Sequence, residues 1–112
     1  PFALEAGGSM LRAILETVPG TDAVFFANDT LAAGAILEAN RSGLDVPGRV
    51  AIAGFDDLEI AGQLTPALTT VQVPRRELGW EAGSRLLEAL QTGLASGAEV
   101  DLGFTLIERA ST

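Results

Sequence analysis

Short, continuously apolar runs alternating with helical-period segments constrain this chain more than any other feature. Residues 23–27, Ala-Val-Phe-Phe-Ala, have the pattern of a strand covered on both faces. Residues 49–55 read as a second buried strand, residues 68–73 as a third and residues 103–108 as a fourth. Between them the period changes. Residues 2–18 place Met10, Leu11, Ile14, Leu15 and Val18 at helical spacing before Pro19-Gly20 stops the run. Asn28-Asp29-Thr30 offers capping side chains ahead of a helix over residues 31–40, with Gly43 as its stop. A partly helical stretch follows Asp57, and Thr65-Pro66 ends it. Pro74 opens a long helix over residues 75–92, with Leu78, Ala82, Leu86, Ala89 and Leu90 on one face. A polar stretch, residues 93–99, leads to the last strand. Strands separated by helices predict an α/β fold with a parallel sheet and right-handed crossovers. Ligands of such sheets sit at the carboxyl ends of the strands, where Asn28 and Asp56 fall.

The residues available restrict the chemistry. There is no Cys and no His, which excludes disulfides, thiolate or imidazole metal sites, Cys nucleophiles and His acid–base work. The formal charge is −8, and the basic residues are seven arginines with no lysine, so no stripe able to neutralise a phosphate backbone can form. No apolar run reaches the roughly 18 residues a membrane span needs. The start, Pro1-Phe2-Ala3, has neither Met nor a signal pattern, the expectation for a piece of a longer chain. A lack of Cys is compatible with a cytoplasmic setting, the location expected here.

Two acidic or amide pairs stand where the sheet would bind a ligand. Asn28-Asp29 follows the first strand and Asp56-Asp57 the second. Capping and turn formation explain such pairs without any ligand. The two roles are compatible, since one residue of a pair can cap while its neighbour faces a cleft. A carboxylate accepting from hydroxyls beside an amide that both gives and accepts suits a polyhydroxylated ligand. Asp56 and Asp57 do not suit a glycosidase pair, because adjacent residues in an extended segment point apart. No serine has a nucleophile-elbow context, and no glycine-rich phosphate motif is present. No catalytic residue, metal ligand or cofactor is expected. Leu78 and Trp80 read as core or interface packing before ligand stacking, and Arg75-Arg76 as a solvated helix start. The helix over residues 31–40 is apolar nearly all round and needs two partners, its sheet and a second subunit being the expected pair.

Taken in order, A-V-F-F-A-N-D-T-L-A-A-G-A-I, S-G-L-D-V-P-G-R-V-A-I-A-G-F-D-D, T-P-A-L-T-T-V-Q-V-P-R-R-E-L-G and L-I-E-R-A-S-T resemble the C-terminal part of LacI/GalR-family transcriptional repressors over nearly the whole chain. Asp101 to Leu106, D-L-G-F-T-L, resembles the gluconate-utilisation branch. The resemblance implies a two-lobed core like that of periplasmic binding proteins, with a sugar or sugar-acid effector in the cleft. It implies a homodimer, with DNA contacted only through an N-terminal headpiece outside this chain. Asn28 and Asp56 are the implied effector contacts, and Ala33 and Leu64 the implied dimer contacts. Val73 departs from the pattern, since several members carry a polar Gln there. A transport-type sugar-binding protein of the same fold is the alternative, and an α/β enzyme a third reading that lacks catalytic groups.

The resemblance divides the chain into residues 1–73, the C-terminal lobe, residues 74–100, a crossover whose helix belongs to the other lobe, and residues 101–112, the return strand. The helix over residues 75–92 then lacks its own sheet and leaves Leu78, Ala82, Leu86 and Leu90 to find cover. The isolated 112-residue chain is expected to self-associate or exchange this helix between copies, giving a sedimentation profile heavier than 11.6 kDa; a monomeric profile with the helix exposed would contradict this.

Overall fold

A computed structural model describes residues 3–95 and 97–112; Phe2 of the first expected helix and Ser96 of the polar stretch lie outside the described residues. The elements run α1 (Leu4–Thr17), β1 (Ala23–Phe25), α2 (Asp29–Ser42), β2 (Ala51–Ala53), α3 (Glu59–Gln63), β3 (Thr70–Gln72), α4 (Arg75–Thr92) and β4 (Thr105–Ile107). β2, β3 and β4 lie inside their expected runs, trimmed at both ends, and β1 keeps the start of its run and loses the end. Among the described residues no helix is long and apolar enough to cross a membrane. The chain divides into two compact units, residues 1–72 with 106–112, and residues 73–105.

In the first unit β1 and β2 are parallel neighbours, in the register Ala23 to Ala51, Val24 to Ile52 and Phe25 to Ala53. β3 lies parallel beside the end of β2 through the Ala53–Thr69 bridge and the Gly54 N–H to Thr69 carbonyl bond of 2.9 Å. β4 pairs with β3. Opposite the start of β2 the chain inserts Ser111, whose backbone exchanges hydrogen bonds with Ile52 and Ala67. The Ser111 hydroxyl is buried, donates to the Ile52 carbonyl at 2.6 Å and accepts from the Thr69 N–H at 2.8 Å. Residues 109–112 therefore close the gap between two strands that only partly pair with each other.

α2 is the centre of the core. Leu31, Ala32, Ala33, Ala35, Ile36 and Ala39 on it are all buried, packed with Leu11 of α1, Val50, Ile52 and Leu68. α1 of the same chain packs along α2, while Leu37 of α2 stays exposed. The two helices approach backbone to backbone because glycines face each other's main chain. A Cβ on Gly34 would strike the Leu4 carbonyl, and one on Gly7 the Leu31 carbonyl. Gly43, at φ 73°, ends α2 in the left-handed conformation that its lack of a Cβ makes inexpensive. Asn40 Nδ2 ties the helix to the Thr65 carbonyl at 2.8 Å.

β1 departs from expectation. Its run is apolar throughout, yet Phe25 is 63% exposed and Phe26, just past the strand, is the buried aromatic. Ala23 and Phe25, which share one face of β1, are both exposed while Val24 on the other is half-buried, so among the described residues one face of the strand is uncovered.

The second unit is α4 with the segment running to Thr105. α4 has no buried residue, and Leu78, Leu86 and Leu90 all stay exposed. Trp80 is 73% exposed rather than packed into a core. Glu81 and Arg85 pair at 2.9 Å along the helix, and Val100 and Leu102 fold back over Leu78 and Ala82.

Replacing Gly34 by Ala is expected to destabilise the protein by about 1–3 kcal/mol, the usual range for overpacking. Gly83, with open space at its Cβ position on α4, is expected to gain up to about 1 kcal/mol from the same change. Denaturant midpoints of the two variants check the contrast, and equal effects would contradict the close α1–α2 approach.

Candidate functional site

The site is built at the carboxyl edge of the sheet. β1 runs into Asn28 and Asp29, and its parallel neighbour β2 runs into Phe55, Asp56 and Asp57, so both acidic or amide pairs leave on one rim. The Asp29 N–H donates to the Phe55 carbonyl at 3.0 Å, which holds the two loops together.

Asn28 is the N-cap of α2, its Oδ1 accepting from the Leu31 N–H at 2.9 Å. Of its pair it is therefore the capping member, and its Nδ2 end is the part of the side chain left to serve a ligand. Its neighbour is not in a cleft. Asp29 is fully buried, with Oδ1 accepting from the Thr70 hydroxyl at 2.6 Å and Oδ2 from the Leu58 N–H at 2.7 Å. Burial raises the Asp29 carboxyl above the ordinary aspartate range. The bonds from Thr70 and Leu58 work against that shift, while the negative charges of Asp56 and Asp57 add to it. Gly54 has to be glycine here, because a Cβ would collide with Asp29 Oδ1.

The loop after β2 is strained. Asp56 has φ 111° and Asp57 φ 53°, both in territory that L-residues seldom adopt. Three consecutive amides hold it there. The Asp56 N–H donates to the Val71 carbonyl at 2.9 Å, the Asp57 N–H to Thr70 Oγ1 at 3.3 Å, and the Leu58 N–H to Asp29. Strain of this kind persists only where surrounding contacts over-determine it, and such positions gather at ligand sites. Asp57 is further engaged, with Oδ1 receiving Arg109 Nη2 at 2.9 Å and Oδ2 receiving Gln72 Nε2 at 3.1 Å. Asp56 is half-buried on the rim between these anchors.

In the sequence Asp29 stands only as the partner of Asn28, with capping or a place in a cleft as its two open roles, and Thr70, Gln72 and Arg109 carry no local signal. Arg109 and Ser111 stand in the L-I-E-R-A-S-T segment that carried part of the family resemblance, but no role was attached to them. Of the two expected dimer contacts, Leu64 is half-buried against the core, whereas Ala33 has no exposed surface within this chain. Val73 falls in the second unit. Among the described residues no group of three or more acidic side chains could hold a metal ion. Two cavities, of about 440 and 350 Å³, lie along the α1–α2 groove on either side of the Arg12–Glu38 ion pair, away from the rim.

A family model described as a periplasmic binding protein-like domain matches residues 3–112. The HTH-type transcriptional regulator GntR of Pseudomonas aeruginosa is 38% identical over 112 residues, which take in 100% of this chain and 33% of that protein. The crystal structure of the transcription regulator GntR from Chromobacterium violaceum superposes with a TM-score of 0.87 at 43% identity, covering 99% of this chain and 41% of that one. A complex of the transcriptional regulator CelR with cellobiose superposes with a TM-score of 0.89 at 30% identity, covering 99% of this chain and 34% of CelR. The chain thus spans about a third of the length of the curated relative it matches, 33%.

A folded-state carboxyl shifted upward binds its proton more readily than the unfolded chain does. In the interval just above the ordinary aspartate range, stability therefore falls as pH rises. Asp29→Asn keeps an acceptor for Leu58 and cannot titrate. Denaturant midpoints of wild type and variant are expected to diverge through that interval, the wild type losing ground as the pH approaches neutral. Parallel curves would contradict a raised Asp29.

Proposed function

Because this chain belongs to the periplasmic binding protein-like family, in the form carried by LacI-type transcriptional regulators, we propose that its rim is half of an effector site in a DNA-binding repressor. The observation that carries the reading is the arrangement of Asn28 and Asp56 on adjacent parallel strand ends, joined by the Asp29–Phe55 bond. Asp56 accepts from ligand hydroxyls, and the Asn28 amide donates from the end that does not cap α2. This favours a sugar or sugar acid, the class to which the cellobiose held by CelR belongs. For a sugar acid such as gluconate, the carboxylate is turned away from Asp56 and met by a cation elsewhere, since like charges repel.

On this reading the effector shifts the population between DNA-binding and DNA-releasing forms of a cytoplasmic homodimer, by the difference in its affinity for the two. DNA contact belongs to a headpiece outside these residues, consistent with the net charge of −8. Leu64 retains surface for a dimer seam, and Ala33 acts through the interior packing of α2.

The test is a thermal-shift panel of D-gluconate and cellobiose on the full-length regulator, since a ligand that binds only the folded state raises its melting temperature. Asp56→Asn keeps a side chain that tolerates positive φ and is expected to weaken the binding sugar by about tenfold or more, the scale of a lost charge-assisted hydrogen bond. Unchanged affinity in the variant would remove Asp56 from the site, and the absence of any shift with either compound would remove the sugar reading.

A further inference from the structure

The second aspartate of the F-D-D sequence is placed unlike the first. Both carboxylate oxygens of Asp57 are engaged within the protein, Oδ1 by Arg109 and Oδ2 by Gln72. Arg109 itself is fixed by two independent bonds. Its Nη1 donates to the Leu68 carbonyl at 2.9 Å, and its backbone N–H donates to Thr69 Oγ1 at 2.8 Å. The Asp57–Arg109 pair is mostly shielded, with side chains 16% and 24% exposed, so it is screened less than a surface pair. A planar guanidinium that reaches a carbonyl and a carboxylate at once sets a direction as well as a charge.

These partners also have a particular place in the chain. Gln72 is the last residue of the first unit before the chain leaves for residues 73–105, and Arg109 follows β4 three residues after the chain re-enters at Leu106. The Asp57 carboxylate thus joins the outgoing strand, the returning strand and the loop that carries Asp56. Asp56 is flanked on one side by its own amide bond to Val71 and on the other by this lock, which is how a residue at φ 111° is kept in one conformation.

We propose that Asp57, held by Arg109 and Gln72, is the positioning residue of the effector site: it fixes Asp56 in its strained conformation and ties that loop to both strands that connect the two units. The positioning role rests on the reading of Asp56 as an effector contact. The mechanical part, the locking of residues 55–58, does not. With the lock released, the loop relaxes toward unstrained dihedrals and Asp56 loses its fixed direction, so affinity for a hydroxyl-bearing ligand falls without loss of the fold.

The experiment uses the full-length regulator with Asp57→Asn, Arg109→Gln and the double variant, followed by amide hydrogen exchange and by thermal shift with D-gluconate and cellobiose. Each single variant is expected to speed exchange over residues 55–58 by about tenfold or more, as local opening becomes easier, while residues 31–39 of α2 stay protected. The double variant is expected to exchange no faster than the singles, because both remove one interaction. The sugar-induced shift of the wild type is expected to shrink in Asp57→Asn. Exchange at 55–58 unchanged in both folded single variants would overturn the proposal, as would a rise spread equally over α2. If Arg109→Gln fails to fold, Asp57→Asn, which keeps the shape of the side chain, carries the test alone. A wild type that responds to neither sugar removes the effector reading, and the exchange pattern then still decides whether Asp57 locks the loop.

Discussion

The carboxylate of Asp29 is the constraint around which the first unit is arranged. It is buried at the start of α2, where it gathers the hydroxyl of Thr70 from β3 and the amide of Leu58 from the loop after β2. A buried carboxylate is costly unless its oxygens are satisfied, and here both are. Their partners come from two other segments of the chain, so satisfying one group fixes three strand ends relative to one another. Gly54 owes its identity to this approach, since only a residue without a Cβ passes beside Asp29. The negative position at the head of α2 also suits the helix N-terminus.

From that anchor the rim follows. Asn28 caps the same helix, and the strained aspartates after β2 are suspended from amides directed at Val71, Thr70 and Asp29. A rim held this rigidly suits a polyhydroxylated, flexible solute of the kind proposed, because a site already in its binding geometry loses little freedom on association. Much of this stiffness comes from the side chains of Asp29, Thr70 and Arg109, outside the proposed pair of contacts.

Local features were legible in the sequence to the extent that local chemistry decides them. The bounds of α4 came from Pro74 and Gly93, and Gly43 marked the end of α2. The parallel pairing of β1 with β2, and with it the common rim of Asn28 and Asp56, is legible in the alternation of strands and helices. Burial was less legible. The run at residues 23–27 records a need for cover without saying what supplies it, and Phe25 remains exposed here. The apolar surround of α2 signals a need for cover beyond the sheet, and the contact with α1 is reached through paired glycines whose significance appears only when the helices cross. The network behind the rim was invisible for a different reason. Asp29–Thr70 and Asp57–Arg109 join residues 41 and 52 positions apart, and no periodicity or motif in one sequence pairs them.

The wedge formed by Ser111 also bears on the order in which the molecule can be made. Its hydroxyl reaches Ile52 and Thr69, which lie 59 and 42 positions earlier. A nascent chain emerging from the ribosome can pair β1 with β2, lay α1 on α2 and bridge Ala53 to Thr69, but the part of the β2–β3 seam that Ser111 fills stays open until residues 109–112 have been synthesised. Contacts of such high sequence separation form late, because loop closure is slow and its entropy cost comes first. The second unit, encoded wholly inside that interval, is therefore translated before the first is sealed.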